Sequence, residues 1–123
     1  MGRRILVVED DLLNRMFYIA TLEQAGFAVT SVGDGARVID EVERVRPDLV
    51  IMDINLPNVS GLVLTERLKA QADYRDLPIL AITAYAGRLE EARIRDAGAS
   101  GYLSKPVTVL ALLTNIKRLL RIN

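Results

Sequence analysis

Cysteine and histidine are both absent from this 123-residue chain. Without cysteine there can be no disulfide and no thiolate metal site. Without histidine there is no imidazole ligand, no His-based triad and no phosphorylation of the chain on a histidine of its own. An excess of one charge is missing too, because sixteen basic residues balance sixteen acidic ones. The chain therefore lacks the steering field of nucleic-acid binders, and no nucleic-acid partner is expected. No apolar stretch approaches the roughly 18 residues of a membrane span, and none has the h-region of a signal peptide. Gly2 opens no myristoylation signal, since Leu6 stands where Ser or Thr is required. The expectation is a soluble cytoplasmic protein with no membrane partner. Repeats, low-complexity segments and an interdomain linker are also missing, so residues 1–123 read as one domain with no output domain.

Four apolar runs each end on a polar residue able to take part in phosphoryl chemistry. Ile5-Leu6-Val7-Val8 runs into Glu9-Asp10-Asp11, and Leu49-Val50-Ile51-Met52 runs into Asp53. Ile79-Leu80-Ala81-Ile82 meets Thr83, and Gly101-Tyr102-Leu103-Ser104 meets Lys105. A shorter and more polar run, Val29-Thr30-Ser31-Val32, suits an edge strand.

Segments with helical spacing lie between these runs. The first carries Leu13, Phe17, Ala20 and Gln24 on its expected inner face, with Met16 widening the stripe and Gly26 as the stop. Asp34-Gly35 opens a segment with Val38, Ile39, Val42 and Val45, ended at Arg46-Pro47. Leu62, Leu64, Leu68 and Lys69 mark a third, and Leu89, Ala92, Ile94 and Ala97 a weaker fourth ended by Gly98. The last carries Val109, Leu110, Leu113, Ile116 and Leu120, with Lys117, Arg118 and Arg121 near its negative end. The pattern is α/β, a doubly wound (βα)5 chain. Parallel neighbours need crossover connections, and right-handed crossovers favour a five-stranded parallel sheet in order 2-1-3-4-5. That order sets strands one and three side by side at the switch point, where ligands bind in open α/β sheets.

Glu9, Asp10 and Asp53 would share that crevice, flanked by Thr83 and Lys105. Three carboxylates so close are hard to keep ionised unless a cation joins them. Oxygen-only ligation suits a hard ion, Mg2+ or alternatively Mn2+. Asp10 and Asp53 are the expected direct ligands, with Glu9 acting through water. Taken alone, Glu9-Asp10-Asp11 reads equally well as an acidic helix-initiating turn. Asp53 is the expected nucleophile, because it ends the most apolar strand and is thereby fixed and partly desolvated. Lys105 would neutralise equatorial oxygens of a phosphoryl group, and the Thr83 hydroxyl would donate to another.

The runs Val7-Val8-Glu9-Asp10-Asp11-Leu12-Leu13-Asn14, Asp48-Leu49-Val50-Ile51-Met52-Asp53-Ile54-Asn55-Leu56-Pro57, Ser60-Gly61, Ile82-Thr83-Ala84 and Gly101-Tyr102-Leu103-Ser104-Lys105-Pro106 resemble receiver domains of two-component response regulators. The resemblance covers the whole chain in order and spacing, and is nearest to stand-alone, CheY-like receivers of the DivK type. It implies that Asp53 accepts a phosphoryl group from a phosphohistidine on a sensor histidine kinase or a histidine phosphotransferase. It implies Mg2+ held by Asp10, Asp53 and the backbone carbonyl of Asn55. Thr83 and Tyr102 would be the switch, the hydroxyl moving to the phosphoryl and the ring turning inward behind it. The family is a phosphoacceptor with self-catalysed transfer and autodephosphorylation, not a turnover enzyme. A cis Lys105-Pro106 bond is a further expectation.

Two departures stand out. Glu9 replaces the more frequent Asp, and Tyr85 could overhang the acyl phosphate and slow its hydrolysis while Ala84 leaves room for the phosphoryl. Output is expected through the face of the fourth helix, fifth strand and fifth helix, toward a downstream protein target or a weak homodimer of an otherwise monomeric chain. The first helix is the expected contact for the phosphodonor, with one of Met16, Phe17 and Tyr18 as an anchor. The alternative from the enzyme class is a Mg2+-dependent phosphatase working through an aspartyl phosphate. It lacks an acid at Asn55 and has no loop long enough for a substrate lid.

Overall fold

All five residues of the third strand, β3 (Leu49–Asp53), are buried, as are all five of the fourth, β4 (Ile79–Thr83). Continuous apolar runs of this kind belong to strands covered on both faces. The computed structural model describes residues 2–123. It adds β1 (Arg4–Val8), β2 (Ala28–Val32) and β5 (Gly101–Ser104) to make one parallel sheet in order β2-β1-β3-β4-β5. The helices are α1 (Leu12–Gln24), α2 (Val38–Val45), α3 (Gly61–Lys69), α4 (Arg88–Asp96) and α5 (Val109–Leu120). Short 3-10 turns precede α2 and β4. The (βα)5 alternation and strand order are as the sequence predicts, and β2 is the half-buried edge strand expected.

Strand pleating sorts the core into two layers. Leu6, Val8, Val50, Met52 and Ala81 face α2, α3 and α4, meeting Val38, Val42, Leu64, Leu68 and Ile94. Ile5, Val7, Leu49, Ile51, Leu80 and Ile82 face α1 and α5, meeting Tyr18, Leu22, Leu112, Ile116 and Leu120. Each fully buried Leu or Ile contributes about 1.5–3 kcal/mol relative to exposure.

Two helices are turned differently from expectation. On α1 the buried pair is Tyr18 and Leu22, with Phe17 packed beside them, whereas Leu13 is 76% exposed and Met16, Ala20 and Gln24 also face outward. An inner face of Ala20 and Gln24 would bury little apolar area; Tyr18 and Leu22, one helical turn apart, bury far more. On α5 Ile116 and Leu120 are buried and Leu113 packs beside them as expected, but Leu112 completes the seam while Val109 and Leu110 are exposed. In α4, Ile94 and Ala97 are buried as expected, but Leu89 and Ala92 lie outside.

Register then sets the site. Val8 pairs with Met52, Asp53 with Ile82, and Thr83 with Ser104. The ladder runs on by one residue through Glu9 N–H to Val32 O, Ile54 N–H to Ile82 O and Lys105 N–H to Thr83 O. Glu9, Asp53, Thr83 and Lys105 therefore emerge together along the carboxyl edge of the sheet.

Candidate functional site

Four loops bring the site residues together. After β1 the chain turns at once into α1, and Asp11 caps that helix by accepting the Asn14 N–H at 2.9 Å. The acidic-turn reading is thus correct for Asp11, while its neighbours do something else. Glu9 is fully buried and Asp10 is exposed beside it. Carboxylate oxygens of Glu9, Asp10 and Asp53 lie within 4.8 Å of one another.

After β3, Asp53 Oδ1 accepts the Asn55 N–H at 2.9 Å. Gly61, the first residue of α3, packs so tightly under this turn that an added Cβ would overlap the Asp53 carbonyl and lie 2.8 Å from Ile54 Cα. Ser60 caps α3 through Leu62 N–H at 3.1 Å, holding that close approach. After β5, the Lys105-Pro106 peptide is cis, as expected. Lys105 Nζ lies 3.4 Å from Asp53 Oδ2 and 3.7 Å from Glu9 Oε1.

Glu9 is the member of the group left incompletely partnered. Its Oε2 accepts the Asp11 N–H at 3.1 Å, but its buried Oε1 accepts no hydrogen bond. Burial pushes its pKa up to about 7, and the neighbouring Asp53 carboxylate adds to that. The Asp11 N–H and the Lys105 ammonium oppose the shift. Tyr18 lies near enough for the same charges to matter. Burial first, and then Glu9 and Asp53, raise its hydroxyl well above the ordinary phenol range.

An orphaned buried oxygen, two further carboxylates and a donor set free of nitrogen and sulfur fit a hard divalent cation. One lysine cannot balance this much negative charge in so small a volume. The residues present therefore suit the ion anticipated from the sequence.

The β4–α4 side holds three hydrogen bonds that sequence reasoning missed. Thr83 Oγ1 accepts the Tyr85 N–H at 3.1 Å and donates to Glu90 Oε2 at 3.3 Å. The Asn55 side chain is engaged as well as its backbone, its Oδ1 accepting the Ala84 N–H at 2.8 Å. Glu90 reads from sequence as one charge in a solvated run. The available signal was its place in the first turn of the helix that follows Thr83. Tyr102 is half-buried and packs against the core layer of α2, α3 and α4. The Tyr85 side chain is 66% exposed at the rim.

The chain matches the family described as the response regulator receiver domain over residues 5–117. It is 38% identical over 117 residues to the polar-differentiation response regulator DivK of Brucella anthropi, covering 95% of each chain. Among solved structures, it resembles the chemotaxis protein CheY4 of Vibrio cholerae with a TM-score of 0.91 and 28% identity, covering 97% of this chain and 99% of that one. It also resembles the receiver domain of the sensor histidine kinase PA1611 of Pseudomonas aeruginosa, with a TM-score of 0.89 and 35% identity over 98% and 99% of the two chains. That structure carries a magnesium ion coordinated in its active-site cleft.

Proposed function

The chain belongs to the response regulator receiver domain family of two-component signalling, and on that footing we propose that Asp53 accepts a phosphoryl group from a phosphohistidine. The donor would be a sensor histidine kinase or a histidine phosphotransferase. The observation that carries the reading is the buried Asp53 carboxylate, held by the Asn55 N–H on one oxygen and by Lys105 Nζ at 3.4 Å on the other.

In the transfer, an Asp53 oxygen forms a P–O bond as the P–N bond of the donor breaks. The electron pair returns to the imidazole nitrogen, and the charge on the phosphoryl oxygens must be met throughout. Lys105 is the chain's own cation for that purpose. Mg2+, when bound by Asp10, Asp53 and the Asn55 carbonyl with Glu9 acting through water, would supply further charge neutralisation. Thr83 would donate its hydroxyl hydrogen bond to the phosphoryl, and the half-buried Tyr102 ring would turn inward behind it. The readout would be a changed surface on α4, β5 and α5, where Leu89 and Leu110 are exposed. Leu12, Leu13 and Met16, exposed on α1, offer an apolar contact to the donor.

The test is to incubate the protein with Mg2+ and acetyl phosphate or phosphoramidate and weigh it intact. One added phosphoryl, absent in Asp53→Asn and in chelator, is expected. An unchanged mass would sink the reading. A phosphatase finds no support at Asn55, whose amide N–H is far too weak an acid to protonate a leaving group. Turnover across a panel of phosphate esters would reverse that judgement.

A further inference from the structure

A hydroxyl can donate only one hydrogen bond, and in the resting chain Thr83 donates it to Glu90 Oε2 at 3.3 Å. Thr83 Oγ1 itself accepts the Tyr85 N–H from the other side at 3.1 Å. We propose that Glu90 is a positioning residue that latches the Thr83 hydroxyl in the resting state and competes with a phosphoryl on Asp53 for its proton. The inference rests on the reading of Asp53 and Thr83 given above and adds to it what the switch must release.

Helix geometry sets Glu90 in this role. It is the third residue of α4, the place from which a capping-box glutamate normally reaches back to the N-cap. The N-cap here is Gly87, which has no side chain to reciprocate, and no side-chain cap bond forms. The carboxylate turns to Thr83 instead. Gly87 sits at φ +151°, a conformation side chains rarely adopt, and an added Cβ there would meet nothing within 4 Å. The connection from Tyr85 into α4 can therefore shift without forcing a packed side chain aside. When Thr83 turns to the phosphoryl, Glu90 loses its partner and is free to bond its own helix terminus, where a negative charge is favoured. Site occupancy is in this way passed to the first turn of α4.

The experiment follows phosphoryl uptake from acetyl phosphate with Mg2+ by intact mass, in wild type, Glu90→Ala, Glu90→Gln and Glu91→Ala. Glu91→Ala removes the same charge from the same helical turn without touching Thr83. Glu90→Ala should take up phosphoryl about fivefold faster, the effect of one ordinary hydrogen bond. Glu90→Gln, which keeps an acceptor, should fall between, and Glu91→Ala should match wild type. In a Thr83→Val background the Glu90→Ala effect should vanish, since contacting residues are non-additive. Equal behaviour of Glu90→Ala and Glu91→Ala overturns the latch, as does an effect that survives in Thr83→Val. The resting protein gives an independent reading: the Tyr85 amide NMR signal should move in Glu90→Ala and stay in Glu91→Ala. If wild type takes up no phosphoryl, the assignment of Asp53 fails. An unmoved Tyr85 signal in Glu90→Ala then overturns the latch on its own.

Discussion

Lys105 Nζ lies 3.4 Å from Asp53 Oδ2 although β4 stands between β3, which ends on Asp53, and β5, which Lys105 directly follows. The lysine reaches across two strand spacings, roughly 10 Å in all, and it also approaches Glu9 Oε1 at 3.7 Å. One ammonium thus serves two buried carboxylates. Replacing it should have opposite effects on two measurements.

In Lys105→Met, phosphoryl uptake from acetyl phosphate should fall by about a hundredfold to a thousandfold, the usual loss for one preorganised donor. Mg2+ affinity, followed by calorimetry, should rise, because a competing cation has gone. Weaker Mg2+ binding in this variant would show that the lysine does not act as a counter-charge in the pocket.

Glu9 predicts a pH dependence for the metal-free protein. Its carboxyl stays protonated to about pH 7 in the folded chain, against an ordinary value of 4.5. Between those values the native state binds more protons than the unfolded one, so stability falls as pH rises. In chelator, the melting temperature should decline from about pH 5 to about pH 7.5 more steeply in wild type than in Glu9→Gln. Parallel profiles would remove Glu9 as the cause.

Gly61→Ala should be destabilising by about 1–3 kcal/mol, the cost of overpacking. The neighbours in the way are backbone atoms, the Asp53 carbonyl and Ile54 Cα, which cannot rotate aside. Urea denaturation measures the loss, and phosphoryl uptake should drop with it because the end of β3 must move. A variant as stable as wild type would contradict the close approach.

Tyr85→Ala should shorten the life of the acyl phosphate. The ring stands exposed beside Thr83 and can screen the phosphoryl from water. A barrier change of about 0.5–1 kcal/mol corresponds to roughly two- to fivefold faster hydrolysis. Loss of added mass over time reports it, and unchanged or slower loss would dispose of the screening role.

The helices show where sequence reading ran short. Leu13, Met16 and Leu110 are as apolar as Leu22 and Leu112, yet the first three face outward and the latter two are buried. Apolar stripes on α1 and α5 are wider than the face the sheet can cover, so periodicity alone does not say which side turns inward. Competition for buried area against the whole sheet makes that choice. The Thr83–Glu90 contact escaped for a related reason: a charge in a charged run carries no periodic mark of its partner.

From the residues alone came the five strands, their parallel order and the acids, hydroxyl and ammonium at their carboxyl ends. A strand covered on both faces is a continuous apolar run with no face to choose, and a crossover leaves few places for the next strand to go. Tertiary structure alone decided that Glu9 is buried with one oxygen unpartnered, that one lysine spans to Asp53, and that Thr83 rests on Glu90. Those facts depend on side-chain reach and desolvation in three dimensions, which neighbours in sequence do not encode.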